Sequence, residues 1–201
     1  METSYISRRE QAQLTKKKIF DTTMFLIKKK GYSKITIREI CQNAQISIGT
    51  FYLYFSSKDE ILLEIYNKID QKISFPRPDD PKEAPSFIIQ DFSIYLECMI
   101  QSFDKELLRE IYRNSLISGE NHFLSPKRPL FEAVLELVSS IHTYAGFKKE
   151  VPPDELCRRL HIFVQSYIFQ WLVSDELSPG YLAGFCLPEL KNYLSLYIDF
   201  Q

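Results

Sequence analysis

The sequence has no long apolar run, and this absence argues against a membrane-spanning protein. A membrane-spanning helix needs about 18–20 mainly apolar residues, and no apolar run in this chain of 201 residues approaches that length. The N-terminus, METSYISRREQ, is polar and lacks the apolar core of a secretory signal peptide. We therefore expect a cytoplasmic protein without a membrane partner.

Cysteine is scarce, and the motifs of common enzymes are missing. The four cysteines lie far apart at positions 41, 98, 157 and 186 without a CxxC pair, so we expect reduced core thiols rather than disulfides or zinc ligands. The three histidines are also scattered, and we predict neither a metal site nor a cofactor. No nucleophile–base motif, phosphate-binding loop or pair of catalytic carboxylates is present, so an enzyme is not expected.

The charges that are present are distributed unevenly along the chain. Residues 8–58 carry 11 Lys and Arg against 3 Asp and Glu, whereas residues 74–201 carry 12 against 18. This division predicts a polyanion-binding N-terminal part on a body with another task. Alone, the lysine triplets at 16–18 and 28–30 would be a solvated helix face, but beside a DNA-binding motif they favour contacts with phosphates.

Three helix-start signals follow one another between residues 36 and 60. Thr36 with Glu39, and Ser57 with Glu60, form capping-box patterns, and Ser47 can cap a short helix between them. The caps are 11 and then 10 residues apart, so the helices at about 36–43 and 47–54 have roughly two turns each. Two short helices joined by a tight turn predict a helix-turn-helix, whose second helix enters the DNA major groove.

The rest of the chain also has helical periodicity, so the predicted fold class is all-α. Four prolines between residues 74 and 86 prevent a helix there and mark a break in composition. We predict a helix-turn-helix DNA-binding domain over residues 1–56, a connecting helix over 57–73 and a helical domain over 74–201. The other predicted helices cover residues 8–30, 87–103, 104–118, 129–144, 154–174 and 181–200.

Residues in and beside the helix-turn-helix are predicted to contact DNA. Gly49 lets the backbone come close to base edges, and Ile48 and the Thr50 methyl group can pack on thymine methyl groups. Arg, Asn and Gln are absent from this helix, so we expect apolar or water-mediated readout together with recognition of DNA shape. The predicted DNA-binding residues are Thr36, Arg38, Ser47, Ile48, Gly49, Thr50, Tyr52, Tyr54 and Lys58.

Several of these residues are predicted to bind phosphate, and some have a structural alternative. Arg38, in the first turn of its helix, is placed for phosphate or a base edge, and Lys58 opens a helix whose free amides also attract phosphate. The tyrosine hydroxyls can donate to phosphate, whereas packing in the small core is the alternative for Tyr54 more than for Tyr52. Lys58 can also be an ordinary solvated surface lysine.

The run IFDTTMFLIKKKGYSKITIREICQNAQISIGTFYLYFSSKDEILLEI contains a set of residues at fixed spacing. Its marks are Gly31, Tyr32, Thr36, Ile37, Ile40, Ala44, Ile46, Ser47, Gly49, Thr50, Tyr52, Phe55, Ser57, Lys58, Glu60 and Leu62. On these residues, the segment from about 16 to 70 resembles the N-terminal domain of tetracycline-repressor-type (TetR) transcriptional regulators. One departure is Gln45, where the family usually has glycine in the turn; a left-handed glutamine there would cost ~1 kcal/mol.

The resemblance implies a homodimer with a helical C-terminal domain for dimerisation and effector binding. In the family the last two helices usually form a four-helix bundle across the dimer axis, which corresponds here to helices at about 154–174 and 181–200. Both have broad apolar faces, although burial within one subunit would give the same periodicity.

The C-terminal part is rich in aromatic residues, which suit either a core or the walls of a small-molecule cavity. We predict an effector site there, and no motif indicates the identity of the effector. The predicted ligand-binding residues are Met99, Phe103, Tyr112, His142, His161, Gln165 and Tyr167.

The resemblance therefore implies a ligand-responsive transcriptional regulator. The expected partner is a double-stranded DNA operator with pseudo-palindromic half-sites, and the expected regulation is release of a repressor when a small apolar or amphipathic effector binds. Two alternatives stay open: a DNA-bound adaptor whose C-terminal domain binds a protein, and an activator. A closed cavity would favour the effector, and an exposed apolar patch would favour the adaptor.

Overall fold

The computed structural model describes residues 7–70, 73–118 and 122–200, and over these residues the fold is all-helical. The helices are α1 (Arg8–Lys30), α2 (Ile37–Ala44), α3 (Ile48–Tyr52), α4 (Lys58–Asp70), α5 (Ala84–Ser102), α6 (Lys105–Ser118), α7 (Pro129–Tyr144), α8 (Pro153–Val173) and α9 (Leu187–Ser195). A π-helical turn, Leu182–Cys186, leads directly into α9. No strand occurs among the described residues, which confirms the all-α fold class. None of their helices has the length and apolar character that a membrane crossing needs.

The sequence located the helices but misplaced some of their ends. Helix α5 begins at Ala84 rather than at residue 87, because Pro85 lies in its first turn, where proline's missing N–H is not needed. The predicted helix over 181–200 is wrong in two respects: it contains the π-helical turn Leu182–Cys186, and it ends at Ser195. Pro188 cannot donate to a carbonyl in the preceding turn, which gives a physical reason for the wider turn before it.

Helix α4 connects the N-terminal and C-terminal parts of the chain. It runs from Lys58 to Asp70, whereas the connecting helix was predicted over 57–73. Residues 71 and 72 lie outside the described residues, and residue 73 is not helical. The chain divides into two compact units, unit 1 to residue 66 and unit 2 from residue 67. This division falls inside α4, between the two boundaries that the sequence predicted.

Unit 1 forms around the predicted caps. Thr36 accepts a hydrogen bond from the Glu39 amide at 3.2 Å and Ser47 from the Thr50 amide at 2.9 Å, so both N-caps are confirmed. The reciprocal half of the first capping box is absent, because the Glu39 carboxylate pairs with Lys30 instead. This ion pair joins the last turn of α1 to the first turn of α2.

The core of unit 1 contains one face of each of its helices. The face predicted for α1 is confirmed, since it is the buried set Ile19, Phe20, Thr23, Leu26 and Ile27. Helix α2 packs on α1, and the further buried side chains of the described residues are Tyr32, Ile35, Ile40, Cys41, Ala44, Phe51, Phe55, Ile61 and Leu62.

Unit 2 is a helical assembly in which α5 and α8 both pack against α7. Its most completely buried large side chains are Ile88, Phe92, Tyr95, Met99 and Trp171. The four cysteines of the chain are free: three are buried, and Cys98 is half-buried.

Burial of the Asp91 carboxylate in unit 2 costs free energy. The Asp91 side chain is fully buried, and neither of its oxygens has a hydrogen-bond partner among the described residues. Its nearest cation is Arg77, whose Nη1 lies 3.7 Å from Asp91 Oδ2 and whose Nε donates to Glu136. Burial raises the pKa of Asp91 from 3.8 to about 7, and the charge of Arg77 opposes this rise.

This raised pKa makes stability depend on pH. Because the folded-state pKa exceeds the unfolded value, the contribution of Asp91 is fully favourable below about pH 4 and is lost as the pH rises through about 7. Asp91→Asn should therefore stabilise the chain, and the gain should grow by about 1–3 kcal/mol between pH 5 and pH 8. Urea unfolding followed by circular dichroism at both pH values measures this difference. Asp79→Asn, which removes an exposed carboxylate of unit 2, is the control; equal behaviour of the two variants would contradict the prediction.

Candidate nucleic-acid interface and effector site

The turn between α2 and α3 is closed by backbone hydrogen bonds. Helix α2 ends at Ala44, and Gln45 adopts the left-handed conformation with φ 52° and ψ 48°. The Gln45 amide donates to the Gln42 carbonyl at 3.2 Å, and the Ile46 amide donates to the Cys41 carbonyl at 3.0 Å. These bonds satisfy carbonyls at the end of α2 and reverse the chain before Ser47 caps α3.

Helix α3 exposes its first turn to solvent. Ser47, Ile48 and Gly49 are exposed, and the hydroxyls of Ser47 and Thr50 lie 2.8 Å apart. A Cβ atom at position 49 would be 3.7 Å from Ser47 Oγ, an ordinary contact, so the protein itself does not require glycine there. Any requirement for a small residue at 49 would have to come from a molecule that approaches this turn.

The second turn of α3 divides its side chains between the core and solvent. Phe51 is fully buried, and Phe55 is buried close to it, with ring centroids 5.9 Å apart. Tyr52 is exposed, and its ring meets Phe51 edge-to-face at 5.6 Å, whereas Tyr54 is half-buried. Leu53 is 80% exposed and was not among the predicted DNA contacts. Its exposure could have been predicted from the sequence, because it lies between Phe51 and Phe55, whose side chains face the core.

Lys58 has structural partners within unit 1. Its ammonium donates to the carbonyls of Tyr32 at 3.0 Å and Ile35 at 3.1 Å, and it lies 4.0 Å from the Tyr32 ring centroid. The Tyr32 hydroxyl donates to Asp59, the next residue of α4. Lys58 therefore links the segment between α1 and α2 to the start of α4, a role that the sequence did not suggest. Its predicted contact with phosphate stays a prediction.

The other cations of unit 1 differ in their surroundings. Lys16 pairs with Glu64 at 3.0 Å and Lys30 pairs with Glu39, so one lysine of each triplet is neutralised within the unit. The remaining lysines of the two triplets are exposed. Arg38 is exposed in the first turn of α2 and has no hydrogen bond or ion pair within the part of the chain that the structure describes. Thr36, which precedes it, is exposed and serves as the N-cap.

Three helices of unit 2, α5, α6 and α8, carry or adjoin most of the predicted effector residues. Met99 and Phe103 are buried on or just after α5, and the Tyr112 hydroxyl of α6 donates to Gln165 of α8. Burial of this phenol raises its pKa well above the usual value. The Tyr112 ring also stacks on Phe123, with centroids 4.3 Å apart.

His161 is buried one turn before Gln165 on the same face of α8. Its Nδ1 lies 2.9 Å from the Cys157 carbonyl, so this nitrogen carries the proton and Nε2 is the acceptor. Nε2 has no partner among the described residues. Burial lowers the pKa of His161 to about 4, so the imidazole is neutral near pH 7.

Two of the predicted effector residues lie away from this group. His142 is exposed in the last turn of α7, where its ring contacts Phe147 at 4.8 Å. Tyr167 is half-buried and faces Phe163 and Tyr181, with ring centroids 5.2 and 6.0 Å away. Two residues span about 200° of a helix, so Tyr167 cannot share the face of Gln165. The part of Tyr167 in an effector site stays a prediction.

Polar atoms in the interior of unit 2 were missed from the sequence. The Tyr95 hydroxyl and Trp171 Nε1 are buried without partners among the described residues. Arg128 and Asp70 form a nearly buried ion pair, with nitrogen–oxygen distances of 2.8 and 2.7 Å. They are 58 positions apart, and neither belongs to a motif. Within the described residues, no group of His, Cys, Asp and Glu side chains is arranged to hold a metal ion.

Comparisons with known proteins agree on the type of N-terminal unit. Residues 19–65 match the family model described as bacterial regulatory proteins, tetR family. The HTH-type transcriptional repressor KstR of Rhodococcus jostii is 29% identical over 82 residues, which are 39% of each chain. The uncharacterized HTH-type transcriptional regulator Mb0790c of Mycobacterium bovis is 33% identical over 61 residues, or 30% of this chain and 29% of that protein. The matches thus span less than half the length of these relatives.

Solved structures extend the likeness to nearly the whole fold. Thermus thermophilus FadR, a TetR-family repressor in complex with lauroyl-CoA, has a TM-score of 0.63 at 19% identity, covering 90% of this chain and 92% of that one. RolR in complex with resorcinol has a TM-score of 0.57 at 18% identity, covering 92% and 90%. At these identities the likeness establishes the fold alone.

The left-handed glutamine leads to a stability prediction. Gln45→Gly should stabilise the chain by about 0.5–1 kcal/mol, because glycine has no Cβ to disfavour this conformation. Gln42→Gly is a matched control in an exposed helical position, where glycine should instead destabilise by about 1 kcal/mol. Urea unfolding of both variants measures these opposite signs. A loss of stability in Gln45→Gly would show that the glutamine side chain makes a favourable contribution to the turn.

Proposed function

The N-terminal unit of this chain is a helix-turn-helix domain of the bacterial tetR family, and from that premise we propose that the protein is a ligand-responsive transcriptional repressor. It binds a pseudo-palindromic operator as a homodimer and is released when a small apolar or amphipathic effector binds unit 2. Its place of action is the cytoplasm, where such an operator is accessible, and regulation needs no catalytic activity of its own.

The observation that carries the DNA-binding proposal is the geometry of α3. Burial of Phe51 fixes this short helix, while Ser47, Ile48 and Gly49 expose its first turn. In a helix-turn-helix, this turn of the second helix meets base edges in the major groove. Thr50 follows on the same helix, and Thr36 and Arg38 at the start of α2 supply amides and a cation for phosphates.

Aromatic and apolar side chains near the C-terminus support the homodimer. Phe169 and Val173 of α8 and Phe185 of the π-helical turn are at least half exposed. Stacked rings lie beside Phe185, since Tyr181 lies 5.5 Å from it, and Phe163 lies 4.8 Å from Tyr193. Exposed aromatic and apolar side chains of this size favour association. The segments involved are those proposed from the sequence, residues 154–174 and 181–200.

The interior of unit 2 supports an effector. Tyr95 and His161 offer buried polar atoms without partners among the described residues, and Tyr112 and Gln165 add a partly buried polar pair. Apolar walls with a few polar groups are typical of small-molecule sites. The similarly folded FadR and RolR were solved with lauroyl-CoA and resorcinol, which is consistent with a small-molecule effector for this fold.

A second candidate function is a DNA-bound adaptor for another protein. Leu116 and Ile117 near the end of α6 are 78% and 75% exposed, and exposed apolar side chains of this size are suited to a protein partner. Substituting both by Ser should abolish regulation by an adaptor and leave effector-driven release intact. The sign of regulation, repression or activation, is read from a reporter gene behind the operator.

DNA binding is tested through Arg38. In anisotropy titrations with duplexes from the DNA beside its own gene, Arg38→Ala should weaken binding and lower the slope of log affinity against log salt by about 1, because one phosphate contact is lost. Lys82→Ala, which removes an exposed cation of unit 2, is the control and should leave the slope unchanged. Lys58→Ala should also lower the slope if this lysine binds phosphate. An unchanged slope would contradict the phosphate role of the residue concerned, and absence of DNA binding by the unaltered chain would contradict the proposed function.

The dimer is tested by one substitution on the exposed aromatic surface. Phe185→Glu should weaken self-association by about tenfold or more, because a charge would be buried between the copies. Phe25→Glu is the control, since Phe25 of unit 1 is 60% exposed and Phe185 is 63% exposed. Sedimentation equilibrium over a range of concentrations gives the dissociation constants. A concentration-independent monomer mass of the unaltered chain would contradict the dimer itself.

A further inference from the structure

One ion pair of unit 2 has both of its side chains nearly buried. Arg128, the N-cap residue of α7, donates from Nε and Nη2 to both carboxylate oxygens of Asp70, at 2.8 and 2.7 Å. The side chains are only 11% and 8% exposed. Asp70 is the last residue of α4, the helix that continues from unit 1. The pair thus fixes the end of the connecting helix within unit 2.

Unpartnered polar atoms lie beside this pair. The guanidinium carbon of Arg128 lies 5.4 Å from the Tyr95 ring centroid, and the Tyr95 hydroxyl is buried without a hydrogen-bond partner among the described residues. The charge of Arg128 also contributes, after burial, to the lowered pKa of His161, whose Nε2 acceptor is equally unpartnered. Buried polar atoms are rarely left without partners, so these two atoms call for a molecule that would bind them.

Aromatic rings surround the same polar atoms. His161 lies between Phe92 and Phe131, with ring centroids 5.0 and 4.8 Å away. The site therefore combines one planar cation, one hydroxyl and one neutral acceptor with apolar rings. A molecule that matches these groups has an anionic end and an apolar body.

We propose that the effector is an amphipathic carboxylic acid whose carboxylate binds Arg128 in place of Asp70. This inference rests on the proposed function and names the chemical class of its effector. The Tyr95 hydroxyl donates a further hydrogen bond to the ligand carboxylate, and His161 Nε2 accepts one from a hydroxyl or amide on the ligand body. A carboxylate is favoured over other anions because the Arg128 fork already binds one in the bidentate geometry.

The exchange explains how binding would act on α4. While Asp70 is paired, the last turn of α4 is held by Arg128. Once the ligand takes the guanidinium, the Asp70 carboxylate is left at a helix C-terminus, where the helix dipole disfavours a negative charge. The last turn of α4 then loses both its partner and part of its stability. Because the ligand prefers the state without the pair, it shifts the population towards that state.

The experiment uses benzoate as the probe and benzyl alcohol as its uncharged match, with the full-length chain and no DNA. Binding is measured by isothermal titration calorimetry and by the shift in Tm. In Asp70→Asn, where the competing carboxylate is gone, benzoate should bind at least tenfold more tightly than in the unaltered chain. Benzyl alcohol should show no such difference between the two proteins.

A charge-exchanged variant supplies the second arm. Asp70→Arg with Arg128→Asp retains an ion pair but removes the cation from the effector side, so benzoate binding should be lost while the fold is retained. Equal benzoate affinity in the unaltered chain and the exchanged variant would overturn the proposal. So would an Asp70→Asn variant that folds and binds benzoate no more tightly than the unaltered chain. If Asp70→Asn does not fold, the comparison of the unaltered chain with the exchanged variant decides the question.

DNA binding is measured separately, so that the two proposals fail in different ways. If the chain binds benzoate through Arg128 but binds no DNA, the proposed function is contradicted and the anion site at Arg128 still stands. If the chain binds DNA but shows no charge-dependent benzoate binding, the proposed regulator still stands and the carboxylate effector is overturned. When both are present, saturating benzoate should weaken DNA binding by the unaltered chain and leave it unchanged for the exchanged variant.

Discussion

Helix α3 has five residues, and a helix of that length is not stable on its own in water. Its position depends on the burial of Phe51, which pins the helix to the core of unit 1, and on the Ser47 cap, which fixes where it begins. The closed turn after α2 sets its direction. The exposed side chains of α3 therefore depend on Phe51, which is buried on the other side of the helix, and loss of its packing would remove the proposed DNA-binding surface as a whole.

The sequence predicted those features that depend on neighbouring residues. The caps at Thr36 and Ser47, the buried face of α1 and the helix positions follow from local chemistry and periodicity, and the structure confirms them. Features that depend on distant residues were missed. Glu39 pairs with Lys30 instead of closing the capping box, and Lys58 finds two carbonyls of another segment. No spacing rule reports such contacts, because they are fixed only when the helices pack.

The proposed effector site shows the same limit. The sequence grouped polar and aromatic residues by composition, whereas in the structure Tyr167 lies on a different face of α8 from Gln165 and His142 is exposed at the end of α7. The ion pair of Asp70 and Arg128 could not be predicted from the sequence, because the two residues are 58 positions apart and neither belongs to a motif. Its importance follows from burial, since a charge removed from water needs a partner of opposite sign, and whatever changes that partner changes the stability of the helix that carries it.

The division between the two units inside α4 has a consequence for how proteins with this plan can change over evolutionary time. A joint made of loop tolerates added or lost residues, because the chain on either side can adjust. A continuous helix does not: each inserted or deleted residue turns everything beyond it by about 100° and moves it by about 1.5 Å. An insertion within α4 therefore changes the helical register of every later residue of that helix, whereas an insertion in a loop does not.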